Sequence, residues 1–386
     1  MIYKTFTFTK KKSLLSSLIV KEIEDKSIVW FQNSNQYLIL EHLAAKIVSQ
    51  LVYKKSIKDI ANRLEKELAI PYEKAIDFII DVDEKIVKPN QEKTPDTLNT
   101  QNIQKPESFE YTKFYKIHTK TIKVEFSNEF ELSLIHPKFA HLEADKSEKF
   151  DCLFQSFSNG NYTYLVIDNK LIGSWSKKDI HYFQGKFSMK VIETIYEKSE
   201  NEWIGVFHAS AIGKEDESIL VLGDSGNGKS TSLALLQAHG FHCIADDFVP
   251  MDNLKKIHAF PAGISIKKNS LNVLLPFYPE LESSAEFHYE RLKKIVRYLP
   301  PKEINYKNSH PCKALIFIKY NSEIEFELNK ISNLKAFESL LPDSWISPLE
   351  SNVVTFLDWF SLLPCYELIY SNNKKMITTV KELLEK

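Results

Sequence analysis

The spacing of apolar positions changes several times along the chain and marks out its elements. Weak alternation runs through residues 1–36, with short strands expected at Ile2–Phe8 and Ser27–Phe31. A helical period follows, in which Ile39, Leu40, Leu43, Ala44, Ile47, Val48, Leu51 and Val52 make one apolar stripe. Ser56 is placed to cap a second helix that turns Ile57, Ile60, Ala61, Leu64 and Leu68 inward. Pro71, at a first-turn position, opens a third, with Ala75, Ile76, Ile79, Val82 and Ile86 on its apolar face. Residues 88–110 hold three prolines and almost no apolar side chain, which is the composition of a linker, long enough to let the segment before it swing.

From Phe114 the period shortens. Tyr115 and Ile117, then Ile122, Val124 and Phe126, then Phe130, Leu132 and Leu134 alternate, and further strands are expected at Tyr162–Ile167, Lys170–Trp175 and Phe187–Ile195. Ser158-Asn159-Gly160-Asn161 and Asp168-Asn169 supply turns between them. This antiparallel, β-rich segment reads as the outer layer of the domain that follows. Ala314–Lys319 and Glu323–Leu328 are further strands, and Leu334–Leu341 and Lys374–Leu384 are helices.

The chemistry concentrates between Ser218 and Asp252. Ile219–Leu222 is a buried strand, and Gly223-Asp224-Ser225-Gly226-Asn227-Gly228-Lys229-Ser230 follows as GxxxxGK[ST], with Thr231 continuing into an apolar helix over 229–238. Glycines there let successive backbone N–H groups turn onto phosphate oxygens at a helix N-terminus. Lys229 then reaches the β- and γ-phosphates of ATP, and the Ser230 hydroxyl can hold Mg²⁺. The bland alternative is a glycine-rich turn that matches by chance. After Gly240, a second short strand, Phe241–Ala245, delivers Asp246 and Asp247 at its C-terminal end, where ligands of parallel α/β units sit. One aspartate can bind the metal while the other takes a proton, or the pair is simply a solvated acidic turn.

These residues resemble HPr kinase/phosphorylase and the wider group of HPr-kinase-like proteins, whose fold is related to phosphoenolpyruvate carboxykinase. The resemblance rests on the GDSGxGKS loop, the helix closing on Gly240, the Ala245-Asp246-Asp247 run, and Phe207-His208-Ala209-Ser210-Ala211 upstream, which is similar to the group's histidine-bearing strand. It implies an α/β P-loop kinase domain over residues 111–386, ATP and Mg²⁺ as cofactors, and a catalytic set of Asp246, Lys229 and His208. Asp246 would be the acid/base, and Asp247 with Ser230 would serve the metal. The Glu-x-Arg-Gly signature of the bifunctional enzymes has no counterpart at His258–Lys267, so neither HPr as substrate nor a reverse phosphorylase activity is implied. Downstream, Lys267 and Lys268 follow a short strand. Arg291, Lys293, Lys294 and Arg297 read either as a solvated basic helix face or as cations for the transferring phosphate.

Residues 1–88 form a small winged-helix-like α+β domain, and roughly 22–88 of it resemble PqqD-like proteins through the Tyr37-Leu38-Ile39-Leu40 run, the Ser-Ile-Lys-Asp-Ile second helix and the acidic third helix. That resemblance implies recognition of the leader of a ribosomally made precursor peptide; an unassigned helical cap is the alternative.

Composition narrows the partners. With 50 Lys+Arg against 51 Asp+Glu in 386 residues, no global field points to nucleic acid or to an anionic membrane. Cys152, Cys243, Cys312 and Cys365 are scattered among apolar neighbours and read as buried thiols of a reducing compartment. Lys10-Lys11-Lys12 precedes an apolar stretch of only eight residues that contains three serines and runs straight into Lys21-Glu22, and no run approaches the length of a membrane span, so a soluble cytoplasmic protein is expected. Three functions are consistent with this reading: a kinase for Ser or Thr of a precursor peptide, a kinase for a small hydroxyl substrate such as serine or a sugar, and a nucleotide-responsive peptide-binding module. A homo-oligomer is compatible with all three.

Overall fold

Residues 17–92, 103–289 and 294–385 are described by the computed structural model, in two units. The smaller opens with an antiparallel meander of β1 (Leu18–Ile23), β2 (Lys26–Phe31) and β3 (Gln36–Glu41), in that order across the sheet. Helices α1 (His42–Val52), α2 (Ile57–Leu68) and α3 (Tyr72–Val82) follow, and α3 continues through a wide turn into α4 (Lys88–Gln91). Their inward residues, among them Ile47, Val48, Ile60, Leu64 and Ile79, share one core with Val29 and Phe31. The Ser56 hydroxyl accepts from the Asp59 N–H at 3.1 Å, the N-cap expected there.

Three boundaries differ from the periodicity reading. Ile39 and Leu40 belong to β3, not to the first helix, because they pair with Ile28 and Ser27; two adjacent apolar residues fit either period and the ladder decides. Pro71 is the N-cap of α3 and not its first residue. Helix also persists to Gln91, into the expected linker, because Asn90 is bonded to the Ile86 carbonyl (2.8 Å) and to Ser34 (2.7 Å), and Asn33 donates to the Gln91 carbonyl (2.7 Å). The expected strand Ile2–Phe8 and linker residues 93–102 lie outside the described residues.

The larger unit begins with a five-stranded sheet of β4 (Tyr111–Ile117), β5 (Lys120–Phe126), β6 (Cys152–Asn159), β7 (Tyr162–Ile167) and β8 (Lys170–Ser176), in chain order. Helix α5 (Glu129–Phe139) crosses between β5 and β6, which therefore pair in parallel and not antiparallel. Phe130, Leu132 and Leu134, expected in a strand, lie on α5, which Asn128 and Glu131 start with a reciprocal capping box. Phe187–Ile195, also expected in a strand, lies on α6 (Ile180–Tyr196), where buried Phe183, Phe187, Val191 and Ile195 recur every fourth residue.

A ten-stranded mixed sheet carries the candidate site. It draws on β9 (Trp203–Phe207), β10 (Ser210–Lys214), β11 (Glu217–Leu222), β12 (His242–Asp246), β13 (Val249–Asp252) and β14 (Lys256–His258), with α7 (Lys229–Ala238) between β11 and β12. A small sheet of β15 (Ile264–Lys267), β16 (Phe287–Tyr289) and β17 (Lys294–Leu299), with α8 (Leu271–Leu274) after β15, comes next. The basic cluster expected on a helix thus meets β17. Arg297 spends its guanidinium on Glu286 (2.7 Å) and the Ser284 carbonyl, and 291–293 lie outside the described residues. The chain then supplies β18 (Ser309–Tyr320), β19 (Phe326–Ile331), α9 (Asn333–Leu340), β20 (Ser344–Ile346), α10 (Glu350–Leu362), β21 (Cys365–Tyr370) and α11 (Asn373–Glu385).

Across the large sheet the order is β12-β10-β11-β18-β14-β13-β9-β20, with β21 on β18 and β19 on β21. Strand β10 is antiparallel to both β11 and β12, while β11 is parallel to β18 and β18 to β21. The C-terminal ends of β12, β11, β18 and β21 therefore share one edge. Helices α7 and α11 seal that half through Leu233, Leu236, Val380 and Leu384 against Val221, Ile316 and Leu368. All four cysteines are free and buried, and among the described residues no helix is long and apolar enough to cross a membrane.

Candidate active site

The turn between β11 and α7 needs its glycines. Gly223 has φ +142°, and a Cβ there would lie 2.5 Å from the Ile318 carbonyl oxygen of β18. Gly228 caps α7 at φ +92°, and a Cβ on it would already be in contact with the Tyr370 hydroxyl (3.4 Å) and Tyr320 Cβ (3.5 Å). Ser232 holds the first turn of α7 by donating to the Gly228 carbonyl (2.9 Å) and bonding the Tyr370 hydroxyl (2.8 Å). The Lys229 ammonium, almost fully buried, folds back on the Gly223 carbonyl. Lys267 reaches the loop from β15, its ammonium 3.1 Å from Ser225 Oγ. Thr231 bonds Ser270 at 2.6 Å, tying α7 to the segment after β15.

Asp246 ends β12 on the same sheet edge, 2% exposed. Its Oδ1 accepts from Ser210 Oγ at 2.6 Å; its Oδ2 accepts from Ser230 Oγ at 2.9 Å and from the Ser265 N–H at 3.1 Å. Ser210 is its register partner across the β10–β12 ladder, which is why the two side chains meet. Burial, and then the Asp247 carboxylate next door, push the Asp246 carboxyl up to about 7 against the pull of these donors. Among the described residues no cation is paired with it.

Asp247 turns the chain in the left-handed region, φ +61°, so two consecutive carboxylates have different surroundings. Its side chain is 34% exposed, and His208 lies beside it, with Nδ1 3.2 Å from the Asp247 carbonyl oxygen and Nε2 3.9 Å from Oδ1. His208 itself follows β9 and donates its N–H to the Asp343 carbonyl at 3.2 Å.

Asp246, Asp247, His208 and Ser225 line one open cavity of about 1380 Å³, whose lining also includes Trp175 of β8 and Tyr182 of α6. The aromatic pair Phe248 and Phe260, ring centroids 4.5 Å apart, also borders it.

A second buried carboxylate lies near the far end of β13. Asp252, also 2% exposed, accepts from Lys198 Nζ (2.6 Å), from His258 Nε2 (2.8 Å) and from the Leu254 and Lys256 N–H groups (3.0 Å each). Burial alone would raise its carboxyl, but these partners outweigh it and hold the group well below the usual carboxylate range.

The structure thus brings together Gly223, Asp224, Ser225, Gly226, Asn227, Gly228, Lys229, Ser230 and Thr231 in one loop and helix start, with Asp246, Asp247 and His208 alongside. It does not join Ser230 to Asp247: among the described residues those two share no hydrogen bond, and Ser230 is bonded to Asp246. Sequence reasoning passed over Ser210 and Ser265. Ser210 was legible as the lone hydroxyl in the apolar run Phe207–Ile212, whereas the Ser265 contact is through its backbone and left no signal. A hydroxyl and two carboxylates beside a glycine-rich loop are hard oxygen donors that fit Mg²⁺, which takes one or two carboxylates together with substrate phosphates. No protein-family model matches the chain, and no curated protein matches its sequence.

Proposed function

We propose that this chain is an ATP- and Mg²⁺-dependent P-loop kinase of HPr-kinase-like type, which phosphorylates a Ser or Thr hydroxyl of a precursor peptide. The observation that carries the reading is Asp246: a buried carboxylate bonded by two hydroxyls and one N–H, facing the cavity beside the glycine-rich loop and raised to about 7. A group poised near neutrality is suited to accept a proton from an attacking alcohol.

In this reading the backbone N–H groups of 224–230 and the Lys229 ammonium hold the β- and γ-phosphates, Lys229 leaving the Gly223 carbonyl to do so. Ser230 with Asp247 would hold Mg²⁺, which when bound neutralises charge on the β- and γ-phosphates. The acceptor oxygen forms its bond to the γ-phosphorus as the bond from that phosphorus to the bridging oxygen breaks. The hydroxyl proton passes to Asp246, and ADP leaves. His208, next to Asp247, orients that carboxylate or the acceptor.

Cavity size favours a polypeptide acceptor over a small alcohol. Sites for small molecules enclose roughly 300–1,000 Å³, and this one offers about 1380 Å³. The meander and helices of residues 17–92 are compatible with a leader-binding unit, in which a peptide adds to an outer strand of the sheet. Incubation with Mg·[γ-³²P]ATP and an array of Ser- and Thr-bearing precursor peptides, with free serine and hexoses alongside, tests the proposal. Label is expected in peptides, and deleting residues 1–88 should raise KM for the full precursor while sparing kcat for a leaderless one. Label confined to small alcohols, or found nowhere, would contradict it.

A further inference from the structure

The cavity accounts for one side of the glycine-rich loop, where Asp246 waits for an acceptor. A nucleotide whose γ-phosphate points to that side must leave its base on the other. Strand order determines what is there: β12, with Asp246, lies two places from the loop strand β11, while β18 flanks β11 on the opposite side and points its C-terminal end to the same edge. The residue ending β18 is Tyr320. From β12 to β18 is three strand spacings, about 14 Å, a span of the order a nucleoside triphosphate needs.

Tyr320 is unusual for its position. Its side chain is 52% exposed although its Cβ would touch a Cβ placed on Gly228, and its N–H donates to the Asn227 carbonyl of the loop at 3.0 Å. The ring is braced edge-on by Tyr370, centroids 5.7 Å apart at 86°, and Tyr370 is itself buried and bonded to Ser232 of α7. One aromatic is thus fixed by the helix start and the other stands against it with about half its surface open to solvent. Large aromatics exposed to this extent and braced in place suit flat ligands, because stacking removes apolar area from water without ordering a mobile side chain.

We infer that Tyr320 is the stacking platform for the nucleobase, and that the site takes purine nucleotides through this stack without distinguishing adenine from guanine. The second half follows from the neighbouring amides. Asn321 Oδ1 accepts from the Glu323 N–H (3.0 Å), and Asn372 is engaged through Oδ1 with the Lys375 N–H (3.1 Å) and through Nδ2 with Glu325 (3.2 Å). Both side-chain oxygens already accept a bond within a turn or a helix cap, and the affinity is assigned to stacking, which every base offers. The inference rests on the nucleotide reading given above and adds to it where the base lies and what selects it.

The test is calorimetric binding of Mg·ATP, Mg·GTP and Mg·tripolyphosphate to the full chain and to Tyr320→Ala, Tyr320→Trp and Lys229→Ala. Tyr320→Ala should weaken ATP and GTP alike by about 5- to 150-fold, the loss of one base–aromatic stack, and leave tripolyphosphate unchanged. Tyr320→Trp, which keeps the platform, should bind both nucleotides at least as well as wild type. Unchanged ATP affinity in Tyr320→Ala, with binding still lost in Lys229→Ala, would overturn the platform alone. A loss of ATP and tripolyphosphate together in Tyr320→Ala would show a general disturbance of the loop and also overturn it. Wild type binding none of the three ligands would overturn both this inference and the nucleotide reading.

Discussion

Asp246 and Asp252 lie at the ends of consecutive strands and are equally buried, yet they are opposite kinds of residue. Asp252 is held by an ammonium, an imidazole and two backbone N–H groups, so its charge is answered on every side and its carboxyl is depressed. Among the described residues Asp246 has only neutral donors, and a carboxylate neighbour instead of a cation. The first pins a turn near β14. The second has its proton affinity raised to the range where a side chain can take up and release a proton at neutral pH. Burial alone does not separate a structural carboxylate from a reactive one; the charge of its partners does.

Substitution should separate the two. Asp246→Asn keeps the shape but loses the base, and phosphate transfer to a peptide acceptor should fall by about 10²- to 10⁴-fold while Mg·ATP still raises the melting temperature. Normal turnover by this variant would erase the distinction. Asp252→Ala should leave transfer by the folded fraction intact and cost roughly 3 kcal/mol of stability, since Lys198 and His258 lose their partner; urea unfolding at pH 7 measures it. The penalty should shrink in acid. A depressed carboxyl stabilises the fold above its unfolded value of 3.8, and that contribution is lost as pH falls through the folded value.

The opposite sign applies to Asp246. A raised carboxyl contributes stability below 3.8 that is lost as pH rises through about 7. Relative to wild type, Asp246→Asn should therefore be more stable at pH 8 than at pH 4. Parallel stability-against-pH curves for the two proteins would contradict that assignment.

What could be read from sequence follows the same division. The loop, helix α7 and strand β12 were legible because local rules specify them: a buried apolar run, glycines whose φ only they adopt without strain, and Gly240 closing the helix at φ +87°. Phe130–Leu134 and Phe187–Ile195 read as strand because they alternate or because aromatic and β-branched residues such as Phe187, Val191 and Ile192 have strand propensity, and packing in the fold outweighs both. The pairing of β10 with β12 is non-local, so nothing near Asp246 announced Ser210 as its partner. Nor did any motif announce Lys198, 54 residues before the Asp252 it neutralises.

The central claim is that Asp246 is the poised base of this site, and carboxyl ¹³C NMR of the Asp-labelled protein tests it most directly. Titrated from pH 3 to 9, wild type should show one aspartate with a midpoint about 7, absent from Asp246→Asn and still present in Asp252→Asn. An Asp246 resonance that titrates near its ordinary value of 3.8 would contradict the account.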